Sequence, residues 1–132
     1  VYASKGYIAQ HGQPEGIEDL ASHALVGFDN SMAKHRLSLW LREVAPNVEL
    51  ASRSSSVLGL VYSVKAGLGV GALPMPLGDA GPDFVRVFGP VPELTRIWRM
   101  LTTPELRRTP RVSAFFDFIV EEIETLRPIL TG

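Results

Sequence analysis

The sequence holds 132 residues, of which 45% are hydrophobic and 20% charged, with a net charge of −1 and no cysteine. This is material for one hydrophobic core or for parts of two lobes, and its composition excludes a disordered tail. The charge balance excludes a grip on nucleic acid by bulk electrostatics, the absence of cysteine excludes disulfides and thiolate metal sites and fits a reducing, cytoplasmic compartment, and no apolar run is long enough to span a membrane.

The chain opens on Val1-Tyr2-Ala3 without an initiator methionine or signal peptide, as if inside a strand, and is expected to be part of a longer protein. Ser4 is placed to cap a helix that includes Tyr7 and Ile8 and stops near Gly12. Gln13 to Gly16 reads as a turn, Ile17 to Ala21 as about one helical turn, and Ala24 to Asp29 as a strand. Asn30 or Ser31 is expected to cap the next helix, whose apolar stripe Leu37, Trp40, Leu41 and Val44 ends at Pro46. Trp40 lies on that stripe and reads as core.

The stretch from Val48 to Pro74 organises the rest. Val48, Leu50 and Ser52 alternate with Glu49, Ala51 and Arg53 as in a half-buried strand, until Ser54, Ser55 and Ser56 interrupt the pattern. From Val57 the period becomes helical, with Val57, Leu60, Val61, Val64 and Leu68 on one face and Gly67 placed as a stop. A second strand from Leu68 to Leu73 would complete a βαβ crossover with parallel strands, and open α/β sheets bind their ligands at such strand ends. No Asp or Glu follows the three serines in the first helical turn. The positive helix end and its orphan N–H groups are therefore available to a carboxylate, sulfate or phosphate, with Arg53 beside them, although serines also cap helices that bind nothing.

Beyond this unit, Pro74 and Pro76 are expected to break regular structure, and Gly78 to Pro82 to form a loop. Phe84 to Phe88 reads as a strand, Gly89 to Pro92 as a rigid connection, and Thr95 to Thr102 as a further strand with Ile97, Arg99 and Leu101 on one side. Thr109 and Pro110 start a long amphipathic helix carrying Val112, Phe115, Phe116, Ile119, Ile123 and Leu126 to about Arg127.

Catalytic constellations are not found. His11, His23 and His35 fall in different elements without metal-ligand spacing, no serine lies in a nucleophile motif, and Gly67, Gly69 and Gly71 miss the spacing of a dinucleotide loop. Those glycines read as a helix stop and a tight strand, and the arginines 107, 108 and 111 as a solvated or salt-bridged surface. No metal and no cofactor is expected.

The order of YASKGYIAQHG, GIEDLASHALVGFD, SSSVLGLVYSVKAGLGVGALP and LTTPELRRTPRVSAFFDFI resembles the effector-binding domain of LysR-type transcriptional regulators over nearly the whole chain. That resemblance implies an α/β fold similar to type 2 periplasmic binding proteins, with two lobes and a small-molecule cleft between them. Residues 1–94 would be the second lobe, residues 95–132 the strand and C-terminal helix that return to the first, and the winged helix-turn-helix that contacts DNA would lie outside this sequence. Position by position, it makes Ser54 and Ser55 the leading effector contacts, joined by Ser56 and Arg53, with Phe28, Ala72 and Leu73 as cleft lining.

The function expected is thus effector sensing in a cytoplasmic regulator, the effector being a small anion or carboxylate, without catalysis. A solute-binding protein of a transport system is the alternative. An enzyme of the same fold would need a general acid or base that the rim lacks. The family's habit of pairing effector domains implies a homodimer or tetramer, for which Leu58 and Tyr62, four apart on the outer side of the central helix, are interface candidates.

Overall fold

Strand β1 (Tyr2–Ser4) is wholly buried and turns directly into helix α1 (Lys5–His11), because Ser4 Oγ accepts a hydrogen bond from the Tyr7 N–H at 3.1 Å. Gly12, at φ 80°, ends that helix in the left-handed region where glycine is unpenalised. This computed structural model describes residues 1–131, and the chain divides into two units, Val1–Thr95 and Arg96–Gly132.

The first unit is built on five hydrogen-bonded segments. Strand β2 (Leu25–Phe28) pairs in parallel with β3 (Leu50–Ser54), and β1 pairs antiparallel with β4 (Phe84–Arg86). Val70 and Gly71 join the two ladders: the Val26 N–H donates to the Val70 carbonyl and the Val70 N–H to that of Ala24, both at 2.8 Å, while Tyr2 and Gly71 exchange bonds of 2.8 and 2.9 Å. The spatial order is therefore β4, β1, segment 70–71, β2, β3. The expected strand 68–73 contracts to those two bridging residues. It runs parallel to β2, as β3 does, so the crossover from β3 passes over β2 instead of joining neighbours.

Helix α2 (Arg36–Val44) packs on β2, and helix α3 (Val57–Lys65) packs on β1, β2 and β3. They cover opposite faces. A Cβ on Gly27 would meet Leu41 Cδ1 of α2 at 3.0 Å, whereas a Cβ on Gly71 would meet Val64 Cγ2 of α3 at 2.8 Å beside Val26, and Val26 and Gly27 alternate along one strand. Between the layers lie Leu25, Val26, Leu41, Trp40, Leu60, Val64 and Val70, all buried.

Several boundaries differ from the sequence expectation. Asn30–Met32 forms a separate 3-10 turn capped by Asp29, and α2 starts later, where His35 Nδ1 accepts from the Leu37 N–H at 3.2 Å. Of the expected inner stripe of α3, Leu60 and Val64 are buried, but Val57 sits in the first turn and Leu68 beyond the helix, and both are exposed. Pro76 does not break structure: it lies in the first turn of helix α4 (Met75–Asp79), where its missing N–H has no intrahelical role. β4 ends at Arg86, two residues short of Phe88.

The second unit contains α5 (Pro104–Arg107), α6 (Pro110–Glu121) and α7 (Ile123–Thr131). The single long helix is divided by an irregular residue at Glu122, and α5, capped by Thr103 Oγ1, was not anticipated. Residues 95–102 form no strand; Ile97, Trp98 and Leu101 are exposed, and alternation without a ladder partner does not make one. Arg107 donates to Ser113 Oγ at 2.7 Å and Asp117 at 2.6 Å, and lies 5.1 Å from the Phe116 ring centre, so it is the salt-bridged member of the arginine cluster, while Arg108 and Arg111 are exposed.

A buried tyrosine brings a polar group to the edge of the core of the first unit. Tyr2, 1% exposed, donates its hydroxyl to Asp79 Oδ1 at 2.7 Å, and Arg86 donates to both oxygens of the same carboxylate. Burial, then the bond to Asp79, pushes the Tyr2 hydroxyl up to about 12. Hydrogen bonds from Arg86 hold the Asp79 carboxyl below its ordinary value. The tyrosine contribution to stability is therefore complete below the unfolded value of about 10 and lost as pH rises toward about 12. The aspartate contribution is present above about pH 4 and lost on further acidification. Ultraviolet titration should show one of the three tyrosines ionising near 12, a phase that Tyr2→Phe removes. The absence of a phase near 12 that Tyr2→Phe removes would contradict the buried pair.

Candidate functional site

The polar turn after β3 caps α3 with its own side chains. Ser56 Oγ accepts from the Gly59 N–H at 3.1 Å, and Ser54 Oγ accepts from the Ser56 N–H at 3.2 Å. Ser54 faces inward against the helix start: a Cβ on Gly59 would collide with both its Oγ and its Cβ. Two donors are thereby satisfied internally. The Val57 and Leu58 N–H groups remain open, no acid stands in the first turn, and Ser55, the residue before the cap, is exposed. Val57 and Leu58 are thus the positive end of the nine-residue helix.

Arg53 does not join this group. Leu25 pairs with Leu50, yet Val26 pairs with Ser52, so a β-bulge at Ala51 inserts one residue into β3. Leu50, opposite Leu25, and Arg53, opposite Gly27, consequently share the α2 face, while Ser52 and Ser54 share the α3 face, where Ser52 Oγ lies 2.9 Å from Ser63 Oγ. Arg53 instead lines a cavity of about 220 Å³ between β2, α2 and β3, together with Phe28, Asp29, Ser38 and Arg42. Arg53, expected beside the serines, thus lies on the opposite sheet face from Ser52 and Ser54, as strand alternation requires, and the bulge decides that its face is the one covered by α2.

The remaining expected residues fall in different places. Phe28 is buried at the end of β2, its ring edge-on to His35 with centres 4.7 Å apart. Leu73 belongs to the core and Ala72 packs against it. Leu58 and Tyr62 are 60% and 68% exposed on the outer side of α3. The three histidines are structural: His11 closes α1, His35 caps α2, and His23 Nδ1 lies 3.2 Å from the Tyr7 hydroxyl. Among the described residues no group of His, Cys, Asp or Glu could hold a metal ion, and no helix is long and apolar enough to cross a membrane.

A family model described as the LysR substrate binding domain matches residues 1–124. The chain belongs to that family. LysR substrate-binding domains have the type 2 periplasmic-binding-protein-like fold and bind effectors in LysR-type transcription regulators, and the first unit is likewise mixed α/β. Searches of curated proteins and of solved structures returned no match.

The Ser54 and Gly59 contact in this LysR domain is open to test. Gly59→Ala gains about 1 kcal/mol of helix propensity but displaces Ser54, whose overpacking costs about 1–3 kcal/mol. Chemical denaturation should therefore show the variant less stable than wild type; a gain would mean that Ser54 does not pack against the helix start.

Proposed function

We propose that this domain senses a small anionic effector, a carboxylate in the first instance, at the turn between β3 and α3. The observation that carries the proposal is the open Val57 and Leu58 N–H groups at the start of α3, with no acid in the first turn and the exposed Ser55 just before the cap, at the ends of parallel strands, a place where the backbone already favours negative charge. Ser54 and Ser56 act by shaping the turn, since their hydroxyl oxygens already accept backbone bonds. Ser55 is the direct contact, and Phe28, Ala72 and Leu73 support the neighbouring strand ends.

The role is regulatory and involves no catalysis. An effector with different affinities for two arrangements of the regulator biases the equilibrium between them, and this is how binding would be transmitted. DNA contact belongs to a winged helix-turn-helix outside this sequence. Copies of the domain pair through the outer side of α3, where Leu58 and Tyr62 form the exposed apolar pair. The match to a LysR domain favours this reading over a transport-type solute-binding protein.

Thermal-shift titration of the chain with a panel of small carboxylates tests the proposal. Ser55→Ala removes one charge-assisted hydrogen bond, worth about 1.5 kcal/mol, and should weaken the best carboxylate about tenfold without lowering the unliganded melting temperature. Equal affinity in wild type and variant would remove the turn from the site.

A further inference from the structure

We propose that the cavity between β2, α2 and β3 is a second small-molecule pocket, on the opposite sheet face from the serine turn, and that it takes a compact acid with an apolar body. Its walls combine two chemistries. Leu25, Leu41, Val48 and Leu50 supply an aliphatic surface, while Arg42 and Arg53 bring two guanidinium groups against the single carboxylate of Asp29. The site therefore has an excess of positive charge over an apolar floor, the complement of a hydrophobic carboxylate.

Arg53 is the residue that points to a ligand. Arg42 already donates to the Ala33 carbonyl at 2.8 Å, and Asp29 Oδ1 already accepts from the Ser31 N–H at 2.9 Å. Arg53 has no such partner among the described residues. It stands on the α2 face because of the bulge at Ala51; with regular pairing of the same sequence it would lie opposite Phe28, on the α3 face. The size limits the ligand: about 220 Å³ lies below the usual range of about 300–1,000 Å³ for drug-sized molecules, so an acid with a ring or a short branched chain fits and a larger one does not.

The probes are cyclohexanecarboxylate, its neutral amide and acetate, titrated into the isotopically labelled chain and followed by amide and methyl NMR shifts. Cyclohexanecarboxylate is expected to give saturable shifts clustered at Leu25, Leu41, Val48 and Leu50. The amide, which lacks the charge, and acetate, which lacks the apolar body, should each bind about tenfold more weakly, and Arg53→Gln should weaken the acid by a similar factor while Arg53→Lys retains part of the affinity. Arg53 is exposed, so neither variant threatens the fold. Ser55→Ala should leave these shifts unchanged. Shifts confined to residues 54–59 would overturn the second pocket while supporting the serine turn, and an unchanged affinity in Arg53→Gln, or the absence of saturable shifts, would overturn the pocket without touching the first proposal.

Discussion

The first unit depends on the backbone of Val70 and Gly71, which hydrogen-bonds on both sides at once. Without this segment the antiparallel pair β1–β4 and the parallel pair β2–β3 would be separate two-stranded ladders, and isolated ladders of that size are marginal in water. The glycines around it are what permit the approach. Gly67, at φ 77°, ends α3; Gly69 passes so close to the Ala24 carbonyl that a Cβ would collide with it; Gly71 lies against Val64. A run that resembles a nucleotide-binding loop by composition is here a means of threading a chain between two strands.

That same segment fixes where the parallel strands end. Because β2 lies between it and β3, the parallel strands end together, and the turn after β3 meets solvent at the start of α3. The bulge at Ala51 then sets the faces of the polar residues that follow: Ser52 and Ser54 turn to the α3 face and Arg53 to the α2 face. One inserted residue thus determines which sheet face each polar side chain takes. Bulges re-aim side chains in this way without altering the hydrophobic pairing on either side.

Local chemistry was legible in the sequence wherever it acts over a few residues. Ser4 caps the helix that it was expected to cap, one of the three serines, Ser56, caps α3, Gly12 and Gly67 end these helices, and Trp40 is in the core. Features that depend on distant partners were not. Residues 95–102 alternate as a strand does, yet form no ladder; Pro76 reads as a breaker but falls at a helix start; nothing in VELASRS announces that Ala51 is extra. Tyr2, Asp79 and Arg86 are far apart in sequence and converge only through the pairing of β1 with β4. The family resemblance rested on the order and spacing of whole segments, which survive such local differences, and the match over residues 1–124 rests on the same extent.

If the segment 70–71 is the centre of the first unit, its amides should open only with the whole sheet. Native-state hydrogen exchange measures this directly at Tyr2, Val26, Val70 and Gly71, whose N–H groups make the joining bonds. The account predicts that these four amides are the slowest to exchange and share one opening free energy, equal to that of global unfolding. Exchange at Val70 and Gly71 faster than at the edge strand β3 would contradict it, and would mean that the two ladders stand without the segment between them.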